Sequence, residues 1–388
     1  MDNYLNVTPV VAVNKCDNYN VDEIKEILKN QFKRIGVTKE LLKDKKIAIK
    51  PNLVAPMKPE DSVTTHPAIV EAVYLLLLEL GAKDVILAES PGGPFTQVTL
   101  SYIYKVTGIS AVSERTGLKL NYDISFRKES FAEGKKLKNF DMITPIADCD
   151  IIFNLCKLKT HSLTGLSCAV KNLFGVIPGT LKFEMHAAYS KIEDFSEMLV
   201  DLNLTLASKK NIISICDAIM SMEGNGPTHG SPIKTDLLLA STSTFALDIV
   251  AESLIGIPGE TLYLNLGADR LGLPRNADSA IYSDITNGYC LKRPDSKAGG
   301  LLRNLPNYFG GSLAKFFEPK PKVNNAKCIG CGKCVGYCPQ KTIELITKKG
   351  KKSAKIKDKE CIRCYCCQEL CPIGAVDTVK NPLLKLIH

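Results

Sequence analysis

The sequence predicts an α/β protein, in which helices cover both faces of a mostly parallel sheet and a small cysteine-rich α+β domain follows. Two observations carry this prediction. Short apolar strands alternate with amphipathic helices over most of the chain, which is typical of a parallel sheet buried on both faces. A doubled cysteine motif then occupies the carboxyl-terminal part. The predicted boundaries are 1–317 for the α/β domain, 318–322 for a linker and 323–388 for the second domain.

Composition indicates a globular protein with reduced thiols. The 388 residues are 45% hydrophobic and 23% charged, which is ordinary for a folded domain. The longest apolar run, Val73–Leu78, is far too short for a membrane span. Fifteen cysteines without a signal peptide favour metal binding over disulfides. We therefore expect a cytoplasmic protein, from a cell that lives with little oxygen.

The first third of the chain contains alternating strand and helix patterns. The predicted strands are Val10–Val13, Lys46–Ile49 and Val85–Ala88, and the predicted helices are Asp22–Ile35, Pro67–Leu80 and Gln97–Val106. The first helix has Ile24, Leu28 and Phe32 on one face and stops at Gly36. The second helix begins with Pro67 at its first turn, where a proline costs no hydrogen bond. These units predict a Rossmann-like arrangement.

The remainder of the α/β region is less regular. Residues 108–146 are predicted to hold an inserted hairpin or subdomain. The later predicted strands are Ile151–Leu155, Ile212–Cys216 and Leu237–Ala240, and the helices are Thr164–Phe174, Ser190–Ala207 and Phe245–Ile255. Leu301–Phe317 is interpreted as an apolar strip between domains. Pro319–Lys322 alternates proline with lysine and is predicted to be a stiff linker.

The cysteine motif is the most specific feature of the sequence. Two runs each read C-x2-C-x2-C-x3-C-P, and their cysteines are Cys328, Cys331, Cys334 and Cys338, then Cys361, Cys364, Cys367 and Cys371. This run is typical of bacterial two-cluster ferredoxins, in which the fourth cysteine binds the cluster of the other run. It predicts two [4Fe–4S] clusters, one on Cys328, Cys331, Cys334 and Cys371 and one on Cys361, Cys364, Cys367 and Cys338.

Zinc is the alternative ligand for these cysteines, since C-x2-C also serves zinc. Zinc sites would have no use for the tripled spacing or for Pro339 and Pro372, so clusters are favoured. Cys366 is a ninth thiol in this region and is interpreted as a bystander.

Polar side chains follow the carboxyl ends of several predicted strands, where open α/β sheets bind their ligands. The catalytic candidates are His161, Lys159 and Asp217. The substrate-binding candidates are Lys50, Asn52, Glu89, Ser90, Lys157, Lys171, Asn172, Gly224 and Gly226. Lysines together with glycine amides suit an anion such as a phosphate or a carboxylate. Neither a Walker loop nor G-x-G-x-x-G is present, which argues against a conventional nucleotide site.

Six motifs in order resemble the domain-of-unknown-function-362 family. They are Lys50-Pro51-Asn52-Leu53, Thr64-Thr65-His66-Pro67, Glu89-Ser90, Lys157-Leu158-Lys159-Thr160-His161, Lys171-Asn172-Leu173-Phe174-Gly175 and Met222-Glu223-Gly224-Asn225-Gly226-Pro227. The resemblance covers roughly residues 8–290. It implies an α/β domain with an iron–sulfur redox role, often with a ferredoxin domain attached, and it implies no particular substrate.

Three functions are compatible with these features. The first is an iron–sulfur oxidoreductase, which passes electrons to an anionic substrate or to a further, unidentified cofactor at the lysine-rich strand ends. The second is a non-catalytic electron-transfer or accessory protein whose α/β domain binds a partner or nucleotide. The third is a metal-handling maturation factor.

The lysine run from Lys348 to Lys359 has two interpretations. It is either a solvated hairpin or a docking surface for an acidic redox partner such as ferredoxin or flavodoxin. Nucleic-acid binding is not expected, because no aromatic residues are interleaved with the lysines.

Overall fold

The computed structural model describes residues 9–257, 259–275, 319–348 and 350–379. Its largest element is an eight-stranded sheet, ordered β1-β10-β9-β7-β2-β3-β4 with β8 paired to β7. The strands are β1 Val11–Lys15, β2 Lys46–Pro51, β3 Asp84–Leu87, β4 Lys119–Leu120, β7 Ile151–His161, β8 Gly165–Ser167, β9 Asn211–Glu223 and β10 Ser231–Ser241. A separate antiparallel hairpin, β5 Phe126–Ser130 with β6 Asn139–Ile143, lies within the predicted 108–146 insertion.

Helices connect the strands. They are α1 Val21–Ile35, α2 Lys39–Leu42, α3 Pro67–Glu79, α4 Gln97–Val106, α5 Ile109–Thr116, α6 Thr144–Asp148, α7 Ala169–Asn172, α8 Leu181–Ala188, α9 Ile192–Lys209, α10 Thr244–Leu254 and α11 Leu262–Leu271. Short 3-10 helices cover Pro59–Asp61 and Leu173–Val176. The Asn20 side chain accepts hydrogen bonds from the first amides of α1, and Gly36 ends that helix with φ 78°.

The sheet is mostly parallel and has a core on each face. Strands β9, β7, β2, β3 and β4 are mutually parallel, and only the β10 and β1 edge and the short β8 are antiparallel. On β7, Ile152 and Cys156 pack with α9 and α10, whereas Phe153 and Leu155 pack with α1 and α3. The predicted fold class, with helices on both faces, is therefore confirmed.

Strands β7 and β9 are longer than the sequence predicts. Strand β7 continues to His161 because its last residues, Lys159–His161, pair with β8, and β9 continues to Glu223 because it pairs with β10. The predicted helix Thr164–Phe174 is wrong for the same reason. Its residues form β8, then α7, then a 3-10 turn, and Gly165 makes the turn with φ 83°.

The described part of the carboxyl-terminal domain contains two small antiparallel sheets and two short helices. Strand β11 Lys320–Val323 pairs with β14 Val376–Val379, and β12 Ile343–Lys348 forms a hairpin with β13 Lys351–Ile356. The helices are α12 Lys333–Gly336 and α13 Cys366–Glu369. Residues 320–322, predicted as linker, are thus a strand of this domain. The predicted apolar strip Leu301–Phe317 lies outside the described residues.

Within the described ranges, no helix combines the length and the apolar character that crossing a bilayer requires.

Candidate functional site: a lysine cavity beside the cysteine domain

A small cavity of about 60 Å³, here called the lysine cavity, lies at the carboxyl ends of β2, β3 and β7. Eight of the predicted site residues line it: Lys50, Asn52, Glu89, Ser90, Lys159, His161, Lys171 and Asn172. Strand β2 supplies Lys50, the segment after β3 supplies Glu89 and Ser90, β7 supplies Lys159 and His161, and α7 supplies Lys171 and Asn172. The topology therefore brings together polar residues that are far apart in sequence.

The cavity is lined by more positive than negative side chains. Its four lysines are Lys50, Lys159, Lys171 and Lys182, against the two carboxylates of Glu89 and Glu369. The Lys50 ammonium lies 3.1 Å from both oxygens of Glu89, which also accepts hydrogen bonds from two backbone amides. Among the described residues, none of the other three ammonium groups forms an ion pair, so this surplus charge favours an anionic ligand.

Lys171 is the lysine whose ammonium group is least satisfied. Only 9% of the residue is exposed. Its Nζ lies 4.6 Å from the centroid of the Phe174 ring and 5.7 Å from that of Phe195. In the part of the chain that the structure describes, Nζ makes no hydrogen bond or ion pair, and burial lowers its pKa. A largely buried ammonium group that lies against aromatic rings and has no hydrogen-bond acceptor can gain a favourable contact from an incoming anion.

Lys159 and Lys182 are held by neutral acceptors. Lys159 Nζ donates to Asn52 Oδ1 at 2.9 Å and to the Val63 carbonyl at 2.7 Å. Lys182 Nζ donates to the carbonyl of Ser90 at 2.8 Å, to its hydroxyl at 3.0 Å and to the Pro91 carbonyl at 3.2 Å. Burial lowers the pKa of each lysine to about 7. An anion in the cavity would restore the charged form of both.

Amide side chains and His161 complete the wall. Asn52 Nδ2 donates to Asn172 Oδ1 at 2.9 Å, and Asn172 Nδ2 donates to Asn154 Oδ1 at 2.8 Å. These hydrogen bonds orient the Asn52 amide so that its Oδ1 accepts from Lys159. His161 Nδ1 accepts the backbone N–H of Leu163 at 3.1 Å. The neutral ring therefore carries its proton on Nε2.

The eight motif cysteines line two separate cavities of about 20 Å³ each. The outer cysteine cavity is lined by Cys328, Cys331, Cys334 and Cys371, and the inner cysteine cavity by Cys338, Cys361, Cys364 and Cys367. The structure thus brings together the two crossed sets that the spacing predicts. Four thiols around a small enclosed space match the donor set of a [4Fe–4S] cluster.

Backbone amides point at several of these sulfur atoms. The N–H groups of Thr342, Arg363 and Ala375 donate to the Sγ atoms of Cys338, Cys361 and Cys371 at 3.4, 3.4 and 3.1 Å. Such bonds stabilise thiolates and tune the reduction potential of a cluster. The residues present therefore fit the group.

Comparison with known proteins agrees with both halves of this description. Residues 47–252 match the sequence model of a family described as a domain of unknown function, DUF362, and residues 321–378 match a 4Fe–4S dicluster domain. A thylakoid-associated protein of Synechocystis sp. is 30% identical over 269 residues, which are 68% of this chain and 79% of that protein. The chain belongs to the DUF362 family.

Two solved structures resemble the chain more distantly. A Thermotoga maritima protein has a TM-score of 0.39 at 14% identity, covering 67% of this chain and 60% of its own. The lactate racemase apoprotein of Thermoanaerobacterium thermosaccharolyticum also has a TM-score of 0.39, at 12% identity, covering 66% and 59%. The DUF362 protein thus spans about three fifths of each.

Lys157 and Asp217, both predicted for the site, lie outside the lysine cavity. They are neighbours in the parallel register of β7 and β9, and their side chains form a fully buried ion pair at 2.9 Å. Tyr19 Oη and the His66 amide each donate to Asp217 at 2.9 Å. The Asp217 carboxylate is thereby satisfied by Lys157, Tyr19 and the His66 amide, and it does not line the lysine cavity.

Gly224 and Gly226 also do not line the cavity, although their loop was predicted to bind substrate. The Gly226 carbonyl accepts from Ser162 Oγ at 2.8 Å, and a Cβ at Gly226 would come within 2.0 Å of the Thr160 carbonyl oxygen. The glycine therefore permits a close approach of two backbone segments. Its neighbour Pro227 contributes to the cavity wall.

Several lining residues were not predicted as site residues. In the DUF362 domain they include Lys182, His186, Phe174 and Phe183, and in the cysteine domain Cys366, Glu369 and Leu370. The abundance of lysines near the strand ends could have indicated Lys182, but no local pattern distinguishes the three residues of the cysteine domain. Their position depends on how the two domains pack.

The two domains are joined by hydrogen bonds around α13. Gln368 Nε2 donates to Asn225 Oδ1 at 2.7 Å, and Thr228 Oγ1 donates to the Glu369 carbonyl at 2.9 Å. His229 Nε2 lies 2.6 Å from the Cys371 carbonyl oxygen. These contacts place α13 over the lysine cavity. Cys366, interpreted from the sequence as a bystander, lines both this cavity and the inner cysteine cavity.

Three other cysteines of the DUF362 domain cluster in its core. The Sγ atoms of Cys156 and Cys168 are 3.6 Å apart, and those of Cys168 and Cys216 are 3.4 Å apart. All three side chains are fully enclosed, and burial raises the pKa of Cys156 and Cys168. Thiols so enclosed are poor nucleophiles.

A larger groove of about 860 Å³ lies at the opposite end of the sheet, beside Asp150 and Asn211 at the amino ends of β7 and β9. Open α/β sheets bind ligands at the carboxyl ends of their strands. The lysine cavity is therefore the stronger candidate site.

Proposed function

We propose that this DUF362 protein is an iron–sulfur oxidoreductase that exchanges electrons with an anionic substrate, or with a second cofactor, bound in the lysine cavity. The observation that supports the proposal is the shared wall between the two sites. Cys366 lines both the lysine cavity and the inner cysteine cavity, and Glu369 and Leu370 of the same segment also face the lysines.

Each part of the chain has a distinct role in this proposal. The outer set, Cys328, Cys331, Cys334 and Cys371, and the inner set, Cys338, Cys361, Cys364 and Cys367, would each hold a [4Fe–4S] cluster. When bound, such clusters supply one-electron transfer. Packing of α13 against the DUF362 domain keeps water away from the wall that separates the two cavities.

The lysine cavity would bind the anion and supply a proton to it. Lys171 supplies an ammonium group that makes no hydrogen bond or ion pair among the described residues, and Lys159 and Lys182 become charged as the anion enters. His161 lines the same cavity and holds a proton at Nε2. It can donate this proton to a ligand that gains electrons.

A second candidate function is that of an electron-transfer or accessory protein without a reaction of its own. The size of the lysine cavity favours it, because about 60 Å³ is well below the volume of most ligand sites, about 300–1,000 Å³. In that case the cavity would hold only a small ion, and the α/β domain would bind a partner. A maturation factor is less well supported, because the lysines disfavour metal cations.

The compartment and the redox partner also belong to this proposal. The described cysteines are free of disulfides, which suits the cytoplasm. The related Synechocystis protein is named for an association with thylakoids. A soluble carrier such as ferredoxin or flavodoxin would deliver or remove the electrons.

The first experiment is anaerobic purification of the full chain, followed by iron and sulfide analysis and by titration with inorganic phosphate or acetate. We expect about eight iron atoms per chain. We also expect the electron paramagnetic resonance spectrum of the dithionite-reduced protein to change when the anion binds, because one wall separates the two sites.

Lys171→Met tests the anion site, with the exposed Lys105→Met as the matched control. Loss of a charge-assisted contact should weaken anion binding by about 10- to 100-fold in Lys171→Met, and Lys105→Met should bind like the wild type. Unchanged binding in Lys171→Met would remove the lysine cavity from the proposal. Finding zinc instead of iron in the purified protein would refute the proposed redox function.

A further inference from the structure

The outer cysteine cavity opens on a face of the molecule that is apolar at its centre. Three exposed side chains line this cavity: Ile329, Leu345 and Ile373, which are 64, 37 and 39% exposed. Cys331 beside them is also exposed. Among the residues that the structure describes, no carboxylate lines the outer cysteine cavity. The inner cysteine cavity differs, because its Cys366 is buried against the DUF362 domain.

Three lysines lie in or beside this apolar centre. Lys333 lines the outer cysteine cavity itself and is exposed. Because side chains of a strand alternate between its two faces, Lys352 lies on the same face of β13 as Ala354. Ala354 also lines the outer cysteine cavity. A Cβ on Gly330 would meet Lys352 at 2.8 Å, so the hairpin packs directly on the cysteine loop. Lys351 Nζ donates to the Ala326 carbonyl at 2.9 Å and is thereby held beside that loop.

The other lysines of the hairpin are partly neutralised. Lys355 and Lys357 lie 3.6 and 3.8 Å from the carboxylate of Glu344, which points away from the face that carries Leu345. The positive charge of the Lys348–Lys359 run is therefore divided. Lys352 belongs to the face of β13 that carries Ala354. Lys351 starts on the opposite face but reaches the cysteine loop through its hydrogen bond to Ala326, and Lys355 and Lys357 are paired with Glu344.

We propose that this outer patch, formed by Ile329, Leu345, Ile373, Lys333, Lys351 and Lys352, is the docking surface for an acidic one-electron carrier protein. An apolar centre ringed by charge of one sign is the arrangement that a complementary, oppositely charged partner recognises. The inference rests on the proposed function. It adds that the outer cysteine set faces the partner, whereas the inner set faces the lysine cavity.

The test uses the full-length, cluster-loaded protein and an oxidised bacterial flavodoxin as the probe, because flavodoxin contains no iron and is acidic. Binding is measured anaerobically by isothermal titration calorimetry at low and at high ionic strength. Lys351→Glu/Lys352→Glu should weaken binding at least about tenfold at low ionic strength, and less at high ionic strength where charges are screened. Ile329→Ser should weaken binding at both.

Lys355→Glu/Lys357→Glu is the matched control, since it changes the net charge by the same amount on the same hairpin. We expect its affinity to stay within about threefold of the wild type. Equal loss in both double variants, or failure of the wild-type protein to bind flavodoxin, would overturn the docking surface. Iron content and visible absorbance, measured on every variant, separate this outcome from failure of the proposed function, in which the wild type itself would lack clusters.

Discussion

At the scale of single residues, the lysines of the cavity fall into two classes. Lys50 is locked in an ion pair with Glu89, and both side chains are buried. Lys171 lies against aromatic rings and its ammonium group forms no hydrogen bond or ion pair among the residues described, although the Glu369 carboxylate lines the same cavity. Removing a partner from a buried pair leaves an uncompensated charge, whereas removing an unpaired buried charge relieves a desolvation cost. The two lysines should therefore respond in opposite ways to substitution.

Lys50→Met should lower the free energy of unfolding by about 3–5 kcal/mol, because the carboxyl group of Glu89 would be left buried without its partner. Lys171→Met should leave the free energy of unfolding unchanged or raise it. Anaerobic urea unfolding of the two variants, with cluster absorbance as a second probe, checks both. A large destabilisation by Lys171→Met would mean that its ammonium has a structural partner.

Anion binding should also be linked to proton uptake. Lys159 and Lys182 have a pKa of about 7 in the protein, because burial disfavours their charged form. At about pH 8 both are mainly neutral, and a bound anion raises their pKa, so protons enter with the ligand. At about pH 6 both lysines are already charged, so the uptake should disappear.

Calorimetric titration of sulfate, which does not change its own protonation state over this pH range, in buffers of different ionisation enthalpy measures this uptake directly. We expect about one to two protons at about pH 8 in the wild type, and fewer in Lys182→Met. Binding that releases protons, or that takes up as many at the lower pH, would contradict the assignment of these two lysines.

At the scale of elements, strand and helix patterns predict most of this fold but fail near the site. The helix α4, Gln97–Val106, has its predicted bounds, and α1 and α3 begin and end within one residue of theirs. The error at Thr164–Phe174 arises because apolar residues at Leu166, Val170 and Phe174 fit a helix equally well. The tertiary pairing of β8 with β7 decides between the two, and no local pattern reports that pairing.

The 3-10 helix Leu173–Val176 places Gly175 against the buried ion pair. A Cβ at Gly175 would lie 2.7 Å from Lys50 Nζ and 2.8 Å from Glu89 Oε1. Gly175→Ala should therefore push the pair apart, lower the free energy of unfolding by about 1–3 kcal/mol and weaken anion binding.

Gly93→Ala is the matched control for this element, because a Cβ there meets no atom within 4 Å. Thermal unfolding and phosphate titration of the two variants measure the difference. Equal behaviour of Gly175→Ala and Gly93→Ala would show that the pair can shift without cost.

At the scale of the whole molecule, the packing of the two domains creates the site. The eight motif cysteines and eight of the cavity residues could be named from the sequence, because spacing and strand ends carry that information. Cys366, Glu369 and Leu370 could not, since each domain's pattern describes only its own core. The positions of Lys157 and Asp217 were missed for a related reason, because their mutual neutralisation depends on the register between β7 and β9.

Glu369→Gln tests this packing. Its carboxylate is contributed by the cysteine domain to a cavity that is otherwise cationic. Removing that negative charge should strengthen anion binding by about 1 kcal/mol at about pH 6, where the lysines are charged. The exposed Glu360→Gln, in the same domain, should bind phosphate like the wild type. Weaker or unchanged binding in Glu369→Gln would place this carboxylate away from the ligand.

The hydrogen bonds around α13 have a consequence for engineering. A foreign ferredoxin with the same cysteine spacing could accept the same clusters, yet it would lack Gln368 and Glu369 and would not seat on Asn225 and Thr228. A chimera made by exchanging the cysteine domain would therefore keep the visible absorbance of the clusters but would leave the lysines of the cavity open to bulk water. The two domains must therefore be transferred together, with the residues that form the hydrogen bonds around α13 unchanged.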